Sequence, residues 1–285
     1  MSTPTLLRRR HVSKSVVVQH VSLLAQSDPI PLGYHRSGLL TWARDEKGVL
    51  DIRHALTTET ISDALMIDEL VHLVDSGVLS GQEQFEEAAI GLILTCGDRP
   101  DTCWQAFYRN SLAELDSGRS PFAPIHHRAL SLLQGKSVLE VGSCFGFFAL
   151  RAAAAGFDVS ACDLSAGAVD LLGTAANRMN LPVRARVGNA VDLPYPSDSA
   201  DTVTLIHLLE HLPDHVDLAI GEAMRVARRR VIIAVPFEDV PSPHFGHHQR
   251  LTSETLVAWA AHADHRGARI FADHGGWLVL QPPRA

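Results

Sequence analysis

A chain of 285 residues can bury the core of one sizeable α/β domain and a smaller one, and its net charge of −7 argues against a nucleic-acid partner held through counterion release. With 46% hydrophobic and 20% charged residues the composition is that of a globular protein, and no apolar run nears the roughly 20 residues that span a bilayer. The four cysteines, Cys96, Cys103, Cys144 and Cys162, show neither metal-ligand spacing nor a disulfide framework and read as reduced thiols. The N-terminus, MSTPTLLRRRHVSKSVVV, is basic and then briefly apolar, without an h-region or cleavage site, so a cytoplasmic protein with no integral membrane segment is expected. Two basic clusters lack interleaved aromatics: Arg8-Arg9-Arg10 reads as a solvated tail, and Arg228-Arg229-Arg230 as a favourable charge at a helix C-terminus.

Val16 to Val21 reads as a strand. Gly38 to Trp42 and Val49 to Ile52 flank the polar turn Arg44 to Gly48 and predict a hairpin. Apolar residues at helical spacing predict helices over 58–75 and 82–94. A small α+β domain over residues 1–97 follows, suited to recognition, to forming a homodimer or to acting as a lid. Its histidines carry no ligand spacing. The polar stretch Gly97 to Asp101 marks the expected boundary, and residues 98–285 form the second domain. There, helices are predicted from about Thr102, with the aromatics Trp104, Phe107 and Tyr108, and over 124–134.

The segment KSVLEVGSCFGFFAL, Lys136 to Leu150, is an apolar strand turning sharply into a helix, the first half of a βαβ unit. Gly142 lets the chain turn and leaves bare backbone for a ligand, towards which the helix aims free N–H groups. A dinucleotide fingerprint G-x-G-x-x-G fails here at Cys144 and Phe147. A second strand, Asp158 to Cys162, ends in Asp163 and Leu164, 23 residues beyond Glu140. A carboxylate at that place can accept both ribose hydroxyls. Strands over 183–187 and 199–206 follow, then a helix over 216–226, a strand over 231–235, a loop rich in Pro and His over 237–250, a helix over 252–263 and strands over 269–272 and 277–280. No P-loop is present, so the sheet edge offers no nucleotide phosphate cradle.

Glu140, Gly142, Cys144 and Gly146, as acid-x-Gly-x-small-x-Gly, resemble motif I of class I S-adenosylmethionine-dependent methyltransferases, with Cys144 in place of the usual middle glycine. Gly188-Asn189-Ala190 with Leu193-Pro194-Tyr195 resembles the family's G-D-A-x-x-L-P-[FY] pattern, Asn189 standing where an acid meets the adenine amino group. Glu210-His211-Leu212-Pro213-Asp214 looks like the E-H-[LV]-x-D stretch of many small-molecule O-methyltransferases. The resemblance implies a Rossmann-like sheet with helices on both faces and S-adenosyl-L-methionine as cofactor, bound by Glu140, Gly142, Ser143, Cys144, Gly146, Asp163, Leu164, Asn189, Ala190 and His207. Phe145, Phe147 and Phe237 are expected to keep the sulfonium's surroundings poor in water. A hydroxyl acceptor calls for a base, and His248 and His211, then His207 and His247, are the candidates. No metal is expected, because His244, His247, His248 and Glu238 form an unfamiliar spacing. The whole chain, including LLTWARDEKGVLDI and RPDTCWQAFYRNSL, is further similar to methyltransferases of the mycofactocin oligosaccharide, which implies a glycosylated small-molecule acceptor methylated on a glucose hydroxyl. The alternatives are a phenol or quinol O-methyltransferase and a non-enzymatic S-adenosylmethionine-binding module.

Overall fold

The structure is a computed structural model that describes residues 9–21 and 30–283. Arg8 of the first basic cluster, with the rest of residues 1–7, lies outside them. The chain forms two compact units, 1–121 with 243–246, and 122–242 with 247–285.

In the first unit, β1 (Arg10–Val12), β2 (Val16–His20), β3 (His35–Ser37), β4 (Leu40–Arg44) and β5 (Leu50–His54) form a sheet of order β1-β2-β5-β4-β3. The expected hairpin is β4 and β5, antiparallel, with the Asp45 carboxylate accepting the N–H groups of Lys47 and Val49 across the turn. Helix α1 (Asp63–Asp75) starts later than its periodicity suggests, because the Ser62 hydroxyl caps it by accepting the Leu65 N–H. Helix α2 (Gly81–Thr95) comes close to β2; a Cβ at Gly91 would lie 2.3 Å from Val18. Helix α3 (Pro100–Ser117) also belongs to this unit, whose division from the second falls after Pro121 rather than at residue 97. Its apolar face buries Phe107 and Tyr108, and Asn110 donates to the Thr58 and Ile61 carbonyls. The polar Gly97 to Asp101 stretch is the turn into α3, with Pro100 in its first position.

The second unit runs α4 (Ala123–Leu132), β6 (Ser137–Val141), α5 (Phe147–Ala154), β7 (Asp158–Asp163), α6 (Ala166–Arg178), β8 (Val183–Val187), β9 (Ala200–Ile206), α7 (Val216–Val226), β10 (Ala227–Val235), α8 (Ser253–His262), β11 (Gly267–Ala272) and β12 (Gly276–Gln281). Its sheet has the order β11-β12-β10-β9-β6-β7-β8, parallel except for β12, which is antiparallel to both neighbours. The central strands β6, β9 and β10 are buried at successive residues because both faces are covered. Ile233 faces one layer with Ala219 of α7 and Leu256 of α8, while Ile232 and Ala234 face the other with Ala129 of α4 and Phe148 of α5. This is the Rossmann-like α/β architecture expected.

Arg228, Arg229 and Arg230 lie on β10, which starts directly after α7, but the hydrogen bonds of their side chains go to Asp198, Asp201, Ser137 and the Leu132 carbonyl instead of serving as a cap. Arg228 and Arg229 each place Nε 3.1 Å from Asp201 Oδ1, and Asp201 also accepts the N–H groups of Lys136 and Ser137. Burial pushes the Asp201 carboxyl up, but these N–H groups and Arg228 outweigh it and hold it well below the usual carboxylate range. The arginines thus tie β6, β9 and β10 together at their amino ends. A cleft lined by Ile220 and Met224 of α7, Trp259 of α8 and Pro283 opens on that same side, since β12 ends opposite the start of β10.

Candidate functional site

From β6 the chain goes outward to β7 and β8, then returns to β9 on the other side of β6. The strand order reverses between β6 and β9, and ligands of open parallel sheets bind in the crevice beyond the carboxyl ends at such a point.

The loop after β6 is held by backbone bonds. The N–H groups of Gly142 and Ser143 both donate to the Cys162 carbonyl, at 2.9 and 3.1 Å. Gly142 has φ +72°, and a Cβ there would lie 2.6 Å from Leu208; Gly146, also at +72°, would put one 2.3 Å from Leu172. Cys144 adopts φ +47°, the left-handed region that disfavours any side chain, which explains why glycine is usual at this place. Cys144 is exposed, whereas Cys162 is buried. Ser143 is buried, and its hydroxyl has no hydrogen-bond partner. Glu140 lies beneath the loop, where its carboxylate accepts the Ala149 N–H of α5 at 2.9 Å. Burial pushes its carboxyl up to about 8 against that hydrogen bond, with the Asp163 charge adding to the rise.

Asp163 ends β7 facing this loop. One carboxylate oxygen accepts the Cys144 N–H at 2.8 Å and the other the Ser165 N–H at 2.9 Å, so each keeps a further lone pair. The helix cap is a different residue, Ser165, whose hydroxyl accepts from Ala168. Leu164, beside the carboxylate, is 74% exposed. Asn189 beyond β8 is exposed, and its side-chain oxygen accepts the Val191 N–H in a turn, while Ala190 packs against the core.

Beyond β9 and β10 a cluster of histidines and acids assembles. His207 follows β9 with φ +51°, and its Nδ1 lies 3.5 Å from Glu210 Oε1. It is half-buried; burial lowers its pKa to about 4, the nearby His247 and His211 lower it too, and Glu238 opposes them. His207 is therefore neutral at pH 7. Glu210 and His211 sit in the short 3-10 turn Leu209–His211. Glu210 is fully buried and its carboxyl is pushed up to about 8, by burial first. The loop after β10 is closed at its base by paired backbone bonds between Glu238 and Leu251, both 3.0 Å. Within it the His248 N–H donates to the Glu210 carbonyl at 3.0 Å, and Gln249 donates to that of Leu209. The His247 ring lies edge-on to His211 with centroids 5.0 Å apart, and its Nδ1 is 2.8 Å from Glu238 Oε2.

Of the four histidines named from sequence, His207, His211 and His247 come together. His248 is exposed and reaches the cluster through its backbone. His244 belongs to the first unit, where it packs on Phe85 and Phe245, so it does not join His247 in the set weighed for a metal. Glu238, weighed from sequence only as one of a set of metal ligands, is the hydrogen-bond partner of His247 nine positions along the loop.

Residues 139–235 match a family model described as a methyltransferase domain. Among solved structures, the chain is similar to the PH0226 protein of Pyrococcus horikoshii (TM-score 0.50, 15% identity, 59% of this chain and 92% of that one). It is also similar to S-adenosylmethionine-dependent methyltransferases of Methanosarcina mazei (TM-score 0.46, 19%, 57% and 98%) and Aquifex aeolicus (TM-score 0.45, 17%, 60% and 97%). No curated protein sequence matches the chain. Residues 139–235 thus form a methyltransferase domain, set within a Rossmann-like strand order. Its cofactor is S-adenosylmethionine.

Proposed function

We propose that the protein transfers the methyl group of S-adenosylmethionine to a hydroxyl of a sugar, at the edge between the β6 loop and the histidine cluster. The observation that carries this is the contact at Gly142: the Leu208 side chain lies against it, 2.6 Å from where a Cβ would stand. Leu208 follows His207 and stands two residues before Glu210, so the cofactor loop and the titratable cluster adjoin.

The residues of the loop fit the cofactor. Gly142 and Gly146 leave backbone bare, the buried Ser143 hydroxyl lacks a partner, and Asp163 retains lone pairs for two ribose hydroxyls. The exposed Leu164 offers an apolar surface to the adenine, with Asn189 and Ala190 beside it. Glu140 acts from beneath by fixing α5, and Cys144 contributes its backbone. S-adenosylmethionine supplies a methyl group on a positively charged sulfur. The chain has to hold an acceptor oxygen in line, keep water out and take the acceptor proton. His207 is held as a neutral imidazole that can accept a proton.

The sugar reading, and the narrower one of a glucose in the mycofactocin oligosaccharide, is supported by the sequence resemblance across both units. The first unit then serves acceptor recognition, homodimer formation or closure, in a cytoplasmic protein. Incubation with methyl-labelled donor and a panel of β-glucans, the glycosylated cofactor and phenols tests it. Label in the glycan is expected. Label in a phenol or quinol alone would replace the acceptor class, and donor binding without any transfer would leave a binding module.

A further inference from the structure

We infer that Glu210, His211 and His247 form a binding site for one divalent first-row transition-metal ion. One ligand atom from each lies within 4.8 Å of the others. Bonds to such an ion of about 2.0–2.2 Å put tetrahedral donors about 3.4 Å apart, so the side chains must close in by up to about 1.4 Å when the ion binds.

A second observation points the same way. Glu210 has 0% side-chain exposure, and neither of its carboxylate oxygens has a hydrogen-bond partner. A bare buried carboxylate is among the least favourable groups a protein can hold. His207 Nδ1 lies 3.5 Å from Oε1 without forming a hydrogen bond. A bound cation answers both the charge and the vacant lone pairs.

The surroundings are those of a metal-binding histidine. His247 Nδ1 is held by Glu238, whose other oxygen accepts the Ser242 hydroxyl at 3.1 Å. A carboxylate on one ring nitrogen fixes the tautomer and orientation of a metal-bound imidazole and leaves Nε2 as the ligand atom. The bond from the His248 N–H to the Glu210 carbonyl pins the loop to the turn, so donors from two separate segments are brought together before any ion arrives. Two imidazoles and one carboxylate suit Zn²⁺, Fe²⁺ or Co²⁺ rather than Mg²⁺ or Ca²⁺, which prefer all-oxygen shells, and three protein ligands leave positions open. Where the edge is read as the acceptor site, an open position lies where the acceptor hydroxyl would bind, and a positive charge there favours its deprotonated form. That role rests on the proposed function, whereas the ion site does not.

The test uses tag-free, chelator-treated full-length protein titrated with Co²⁺, followed by its visible absorption and by calorimetry, with Zn²⁺ and Mg²⁺ as competitors. One equivalent of Co²⁺ is expected to bind, displaced by Zn²⁺ and not by Mg²⁺. Glu210→Gln and His247→Asn are expected to weaken it at least 100-fold, and Glu238→Gln about 10-fold. All three should leave S-adenosylmethionine affinity unchanged. His262→Asn, on the surface of α8, controls for binding to scattered histidines. Absence of saturable Co²⁺ binding, or unchanged affinity in both folded ligand variants, overturns the site; two substitutions keep the test decisive if one fails to fold. Co²⁺ bound without methyl transfer to any sugar would overturn the acceptor reading alone, and transfer by metal-free protein that binds no Co²⁺ would overturn the ion site alone.

Discussion

Replacing Asp163 tests the proposed donor site most directly. The carboxylate already accepts two backbone N–H groups, from Cys144 and Ser165, which hold it in place. Its remaining lone pairs offer two charge-assisted bonds to a ribose diol. Such bonds contribute about 1.5–3 kcal/mol each, less what water returns when they are lost. Asp163→Ala should therefore weaken S-adenosylmethionine binding by at least about 1.4 kcal/mol, a tenfold loss, and by about 3 kcal/mol if both bonds form fully. Calorimetry with S-adenosylmethionine, S-adenosylhomocysteine and a ribose-deoxy analogue separates the ribose from the loop. The deoxy analogue should bind wild type more weakly than its parent, but the variant almost equally, because the partner of the missing hydroxyl is gone. Asp163→Asn should fall between, keeping one acceptor oxygen without the charge. Unchanged affinity in Asp163→Ala, or the same loss with the deoxy analogue in both proteins, would refute the ribose assignment.

Three further outcomes follow from the loop and the strand beneath it. Cys144→Gly should be neutral or stabilising by up to about 1 kcal/mol, whereas Cys144→Val should destabilise by more than about 1 kcal/mol, because φ +47° suits glycine and least suits a branched side chain; urea denaturation in which valine is tolerated would contradict this. Gly146→Ala combines a left-handed φ with a Cβ 2.3 Å from Leu172 and should lower stability by at least about 2 kcal/mol in the same assay. Glu140 has a folded pKa raised to about 8 from an ordinary value near 4.5, so its contribution is fully present below about pH 4.5 and is lost as pH rises through 8. Glu140→Gln should remove that loss, and the wild type should become less stable relative to the variant from pH 5 to pH 9; a constant difference would show that Glu140 does not titrate in this range.

Local pattern in the sequence carried much of the second unit. The apolar run Ser137 to Val141, followed by glycines and a second strand ending in Asp163, defines a βα turn by period and by the residues that tolerate positive φ, and these are properties of neighbouring residues. Asp163 was legible for the same reason, since a strand's last residue lies at the sheet edge whatever the rest of the chain does. The boundary was less legible: Gly97 to Asp101 has linker chemistry, yet it turns into α3, and only the burial of Phe107 and Tyr108 assigns that helix to the first unit. The charge of Arg228 to Arg230 likewise suggested a helix cap, and its partner Asp201 was 27 residues away on an adjacent strand.

The sequence by itself determined the Rossmann-like sheet and the turns at the ends of β6 and β7, because each is encoded within a few residues by periodicity, glycine and a terminal acid. Which histidines matter was decided only by the tertiary structure. Glu210 and His211 are neighbours in the chain, but His247 and Glu238 reach them through a loop closed at Glu238 and Leu251. No spacing rule spans 36 residues of strand, helix and loop, and the bare carboxylate of Glu210 is a property of what surrounds it, which no residue states alone.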